Sequence, residues 1–236
     1  MAATFLQAEW RKLVMANYPV DKKILEPYLP HKTELDVWNG VCYVSLVGFM
    51  FLNTKLKSIP VPFHTNFEEV NLRFYVRYND KGEWKRGVVF IKEIVPKPML
   101  SFVANTIYKE SYETMPMGHT WETIESTLRV EYRWKKKKWN SILVTADLDS
   151  SRIAEDSEEE FIAEHYWGYT KIDEKRTSEY GVEHPRWEVY STKSYSIDVD
   201  FGDIYGQAFQ FLNFETPSSV FLAEGSEIKV KAGRLI

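Results

Sequence analysis

Four positions combine a reactive residue type with a setting that allows chemistry: Arg11, Glu69, Tyr108 and Lys109. Lys109 allows an amine to attack a carbonyl, which needs a neutral amine held by desolvation or by a second cation. Its sequence neighbour is Glu110, whose charge works the other way if the two approach, and a solvated loop lysine fits the same residues. Glu69 shares a strand face with Arg73 and Arg77 and could act as a buried acid or base paired with Arg11. A structural ion pair or a wet sheet face gives the same alternation. Arg11 alternates with Leu13 and Met15, so its face is otherwise apolar, and its guanidinium should find a carboxylate, from Glu69 or from a ligand. Tyr108 could donate a hydrogen bond to a bound oxygen or simply pack.

The remaining reactive types offer less. The five histidines have no metal-ligand spacing, so no metal and no cofactor is expected. His184, before Pro185, reads as a turn residue. Cys42 lies in an apolar run and reads as an inert core thiol. The Arg133–Trp139 segment joins basic and aromatic residues, a recipe for single-stranded nucleic acid. It is short and sits at a hairpin tip, which fits a solvated turn. No phosphate-binding glycine loop, nucleophile elbow or paired-cysteine motif is present.

These residues sit on elements that read mainly as strands. Residues 5–18 alternate as a strand, followed by a short helix capped by Asp21 and stopped by Pro30. Residues 40–52 form an apolar run expected as a strand buried on both faces. Residues 68–78 alternate most clearly: Val70, Leu72, Phe74 and Val76 face one way, and Glu69, Asn71, Arg73, Tyr75 and Arg77 the other. The turn Asn79-Asp80-Lys81-Gly82 returns the chain through residues 84–94. Pro96 and Pro98 are expected to open a helix with Met99, Phe102, Val103 and Thr106 inward. Residues 126–148 form a second long hairpin. Ser157 and Glu160 make a capping box for a helix that carries Phe161, Ile162, His165 and Tyr166 and ends at Gly168.

The 236 residues include no Pro/Gly/Ser-rich linker, which favours one domain over residues 1–236. Apolar residues make up 44% and aromatics 15%, ample for a core of wide side chains on pleated strands. A net charge of −4 supplies no field for nucleic acid or anionic lipid. One cysteine excludes an internal disulfide framework, and no signal-peptide core or membrane-spanning run is visible. A cytoplasmic protein is expected. Hairpins with a few short helices predict a mainly β (α+β) sandwich or barrel.

Several blocks together resemble one family. They are Trp10-Arg11-Lys12-Leu13, Leu25-x-x-Tyr28-Leu29-Pro30, Tyr43 to Phe49, Phe67 to Val76, Glu160 to Tyr166, and His184-Pro185-Arg186-Trp187. The chain is similar to the uncharacterised bacterial proteins typified by YqjF, domain-of-unknown-function family 2071. That family is distantly similar to acetoacetate decarboxylase. The resemblance implies an antiparallel β-sandwich or barrel enclosing a pocket, with a homodimer as its plausible assembly. Arg11, Tyr18 and Asp21 stand where the decarboxylase pattern has an arginine, a tyrosine and an acidic cap, and Glu69 matches its glutamate block. Ile107-Tyr108-Lys109-Glu110 departs from the Pro-Lys-Lys step that carries the Schiff-base lysine. Tyr108 takes the reactive lysine's place and Lys109 its neighbour's.

The reading that follows is a pocket for a small anionic or carbonyl-bearing organic molecule, with Arg11, Glu69, Arg73 and Tyr108 as ligand-binding candidates. Lys109 and Glu69 are the catalytic candidates, for a divergent enzyme lacking the usual lysine step. A non-catalytic binder or sensor is the first alternative. An interaction protein with an apolar patch and no cavity is the second.

Overall fold

The computed structural model describes residues 3–60, 64–98 and 111–236. Fifteen strands of one sheet dominate it. The first half holds β1 (Thr4–Val20), β2 (Thr33–Leu35), β3 (Cys42–Leu56), β4 (Ile59–Pro60), β5 (Phe67–Asp80), β6 (Glu83–Val95) and β7 (Tyr112–Thr114). The second holds β8 (Met117–Ile124), β9 (Thr127–Lys135), β10 (Trp139–Arg152), β11 (Trp167–Asp173), β12 (Arg176–Glu183), β13 (Glu188–Asp198), β14 (Ser219–Lys231) and β15 (Arg234–Leu235). Short helices α1 (Lys22–Leu25), α2 (Glu158–Ala163) and α3 (Phe201–Tyr205) interrupt them.

The main path runs β15-β12-β11-β6-β5-β3-β1-β14-β13-β10-β9-β8, and a further pairing of β12 with β14 closes it on itself. Val182 opposite Val230 and Glu183 opposite Lys229 make that seam. The strands β12, β11, β6, β5, β3, β1 and β14 thus form a barrel, antiparallel except where β11 runs parallel to β6. From β14 the sheet continues through β13, β10, β9 and β8 and folds over the outside of β1, β3 and β5. Apolar side chains alternate inward and outward along each strand, so two cores result. Val14, Leu46, Leu72 and Phe74 pack outward against Val130, Tyr132, Trp134 and Val144. Leu13, Met15, Phe49, Phe51 and Tyr75 pack inward with Phe161 and Trp187. This two-layer use explains why residues 42–51 of β3 are buried on both faces.

The expected hairpins form. Trp139 pairs Lys135 at the second turn, and Gly82 donates its backbone N–H to Asn79 Oδ1 at the first. Asp21 caps α1 through Lys23 N–H at 2.9 Å, and Ser157 caps α2 through Glu160 N–H at 3.1 Å. Two local readings are corrected. The helix after Ser157 ends at Ala163, leaving His165 and Tyr166 beyond it. Gly168 belongs to β11, where the Tyr180 ring lies so close that a Cβ would sit 2.1 Å from it. The helix expected after Pro96 and Pro98, with Met99, Phe102, Val103 and Thr106, falls largely outside the described residues, as do Tyr108 and Lys109.

The tip at Arg133–Trp139 is tied down by charge. Lys136 donates to the Asp203 carbonyl, Lys137 pairs with the Asp203 carboxylate and Lys138 with Asp198, so these lysines staple the hairpin to α3 and β13. Among the described residues no helix is long and apolar enough to cross a membrane.

Candidate functional site

The barrel encloses a cavity of about 170 Å³, walled chiefly by Trp10, Leu13, Phe49, Phe51, Phe67 and Trp187. Its polar lining comes first from β5. Strand alternation sends Glu69, Asn71 and Arg73 into the lumen while Val70, Leu72 and Phe74 enter the outer core. That places the polar face of this strand against the cavity. Glu93 on β6, directly opposite Asn71, adds a second buried carboxylate.

The two ends of this polar row differ. At one end Glu69, 2% exposed, accepts from Asn71 Nδ2 at 3.0 Å and from the Tyr112 hydroxyl at 3.3 Å. At the other end, roughly 13 Å along the strand at about 3.3 Å per residue, stands Arg73, 7% exposed. Its Nη2 lies 4.0 Å from Met15 Sδ, and the guanidinium lies 5.8 Å from the Tyr75 ring centre. Its Nε is buried with no hydrogen-bond partner, and no carboxylate reaches it among the described residues. A buried cation without a counter-charge is costly.

Three imidazoles, of His64, His165 and His184, also line the cavity, and the latter two feel the Arg73 charge. His165 follows α2, packed on Tyr75 at 4.6 Å and Phe161 at 5.3 Å. Its Nε2 lies 3.2 Å from Asp36 Oδ2, which also accepts from Arg86 Nε at 2.6 Å. Asp36 is held in turn by its backbone N–H on the Tyr75 carbonyl. Burial outweighs the Asp36 contact and pushes His165 down to about 4, so the ring is neutral near pH 7. For Asp36, burial raises the carboxyl, but the His165 and Arg86 hydrogen bonds and the Arg86 charge together hold it below its ordinary value. His184 stacks between Tyr166 and Trp187, hydrogen-bonds the Pro185 carbonyl through Nδ1 at 2.9 Å, and is lowered chiefly by burial.

Buried polar side-chain atoms without partners gather here. Trp10 Nε1, Thr54 Oγ1, Asn71 Oδ1, Arg73 Nε and His165 Nδ1 all belong to cavity-lining residues. Most buried polar atoms in folded proteins are satisfied, so this clustering sets the lumen apart.

Of the residues singled out in the sequence, Glu69 and Arg73 reach the cavity. Arg11 does not, and the expected Arg11–Glu69 pair is not formed. Arg11 is 29% exposed in its side chain and binds Glu9 at 2.7 Å, beside an open outer groove lined by Gln7, Glu9 and Lys229. The cause is a bulge. Between Arg11 opposite Met50 and Val14 opposite Gly48, β1 carries one residue more than β3, and Lys12 takes φ 54°. Trp10 and Leu13 both face the lumen and Arg11 turns outward. Opposite Arg11, Gly225 has φ 81° and a Cβ there would lie 2.0 Å from the Trp10 carbonyl oxygen, so only glycine allows the approach. Asn71 stood in the same alternation as Glu69 and Arg73 and was readable from it. His165, Asp36 and Arg86 come from separate segments, and no spacing joins them in sequence.

This architecture is found in solved structures. The chain is similar to acetoacetate decarboxylase from Legionella pneumophila, with TM-score 0.65 and 12% identity over 99% of this chain and 88% of that one. An acetoacetate decarboxylase-like enzyme from Sphingomonas wittichii RW1 gives TM-score 0.67 and 8% identity over 99% and 94%. The enduracididine biosynthesis enzyme MppR, complexed with pyruvate, gives 0.65 and 13% over 100% and 91%. The fold is therefore the mainly β, acetoacetate-decarboxylase-like class. Within that class the chain belongs to the DUF2071 family, described as an uncharacterized conserved protein, whose model matches residues 7–227. It is 38% identical over 77 residues to the uncharacterized protein YqjF of Bacillus subtilis, a match spanning 32% of each chain.

Proposed function

We propose that this protein binds a small carboxylate-bearing organic molecule inside the barrel, with Arg73 as its anchor. The observation that carries the reading is the Arg73 guanidinium, buried on the cavity wall with its Nε unpartnered and, among the described residues, no carboxylate beside it. A ligand carboxylate supplies the missing charge and accepts the fork of donors. The neutral His165 and His184 add no competing cation. A cavity of about 170 Å³ matches a molecule near benzene in size, since a void of roughly 150 Å³ holds benzene. The structural relative MppR is complexed with pyruvate, a carboxylate of that scale. Glu69 lines the far end of the cavity. Arg11 takes no part in this reading.

Isothermal calorimetry with short-chain carboxylates, keto acids and their neutral amides tests it. Acids bind and amides do not, and Arg73→Met lowers acid affinity at least about tenfold, as expected for loss of a charged hydrogen-bonded contact. Equal binding of acid and amide, or acid binding unchanged in Arg73→Met, overturns the reading.

A further inference from the structure

We infer that His165, oriented by Asp36, presents a hydrogen-bond acceptor to the cavity, and that the carboxylate ligand anchored at Arg73 is a hydroxy acid whose hydroxyl donates to His165 Nδ1. This rests on the Arg73 reading and narrows it. The argument begins with the proton on the ring. Asp36 Oδ2 lies against both Arg86 Nε and His165 Nε2. An ionised carboxylate only accepts, so Nε2 must carry the hydrogen. The ring is 1% exposed in its side chain and lies within the influence of Arg73, and both facts oppose a second proton. Nδ1 is then a bare lone pair. It is buried, it has no partner among the described residues, and its residue lines the same cavity as Arg73.

An acceptor in that position asks for a donor on the ligand. An ammonium group would bring a second positive charge toward Arg73, so a hydroxyl is the donor that fits. A plain acid would leave Nδ1 unsatisfied and bind more weakly, because a site built around a polar contact rejects the analogue that lacks it.

Calorimetry with lactate and 2- and 3-hydroxybutyrate, against propionate and butyrate, reads this directly. The hydroxy acids bind at least about tenfold more tightly than their deoxy partners. His165→Phe removes that preference, bringing hydroxy and deoxy acids to comparable affinity, while Arg73→Met weakens both groups. If the wild type binds both groups alike, or His165→Phe keeps the preference, the inference falls and the Arg73 reading stands. If no acid binds, both fall. Nitrogen-15 NMR of the wild-type imidazoles gives an answer independent of any variant. Nδ1 of His165 is expected to be unprotonated and Nε2 protonated; a proton on Nδ1 overturns the proposal.

Discussion

Two polar regions lie inside this barrel, side by side on β5, and they are built in opposite ways. Around Tyr75 every link closes. Ser45 donates to Asn17 Oδ1 at 2.6 Å, which leaves its oxygen to accept from the Tyr75 hydroxyl, also at 2.6 Å. Asn17 Nδ2 then donates to Ser219 at 2.9 Å, and Ser219 donates to Glu158 at 2.5 Å. The chain of contacts ties β5, β3, β1 and β14 to the start of α2. Two residues earlier on the same strand face, Arg73 meets only a thioether and the face of the Tyr75 ring among the described residues, and His165 and Asn71 each keep an atom without a partner there. Burial is alike in both regions. A satisfied network rigidifies a wall, whereas an unsatisfied one beside a cavity leaves donors and acceptors open to whatever enters it.

Acid should separate the two regions most strongly. His165 titrates at about 4 in the fold against an ordinary 6.5. Between those values the unfolded chain binds one proton more, so stability is full above pH 6.5 and falls as pH drops toward 4, by up to about 3 kcal/mol. Asp36, also held low, adds its own loss below its ordinary range near 3.8. Urea denaturation midpoints between pH 7 and 4 measure this, and a His165→Phe variant should lose most of the dependence over pH 6.5 to 4. A flat profile in the wild type would mean that the imidazole is not the dry, neutral acceptor described here.

Ser45→Ala should come next. It strands Asn17 Oδ1 and the Tyr75 hydroxyl in a dry wall and should cost about 2 kcal/mol in urea denaturation. Arg73→Met should give the smallest change and the opposite sign. Without ligand it removes an unpaired buried charge and should raise stability by about 1 kcal/mol. If Ser45→Ala were neutral, or Arg73→Met strongly destabilising, the contrast between the closed network and the open one would disappear.

Much of the scaffold could be read from local pattern. The period-two alternation of residues 68–78 put Glu69, Asn71 and Arg73 on one face, and the structure keeps them together. The apolar run at residues 40–52 announced a strand buried on both faces, and Asp21 and Ser157 announced their helices. Arg11 was misplaced because one added residue in β1 reverses the alternation that the reading depended on. The basic tip drew notice as a charge run, yet its lysines are spent on Asp203 and Asp198, residues some sixty positions away.

The sequence by itself determined the strands, their turns, the mainly β class and the polar row on β5, because these follow from the spacing of neighbouring residues. Tertiary structure decided the rest. Pairing of β12 with β14 closed the ring and turned that row from a sheet face into a cavity lining. The chain beyond Ala163 at the end of α2 carried His165 onto Asp36, 129 residues away. Such contacts depend on how distant strands meet, and side-chain periodicity holds no record of that.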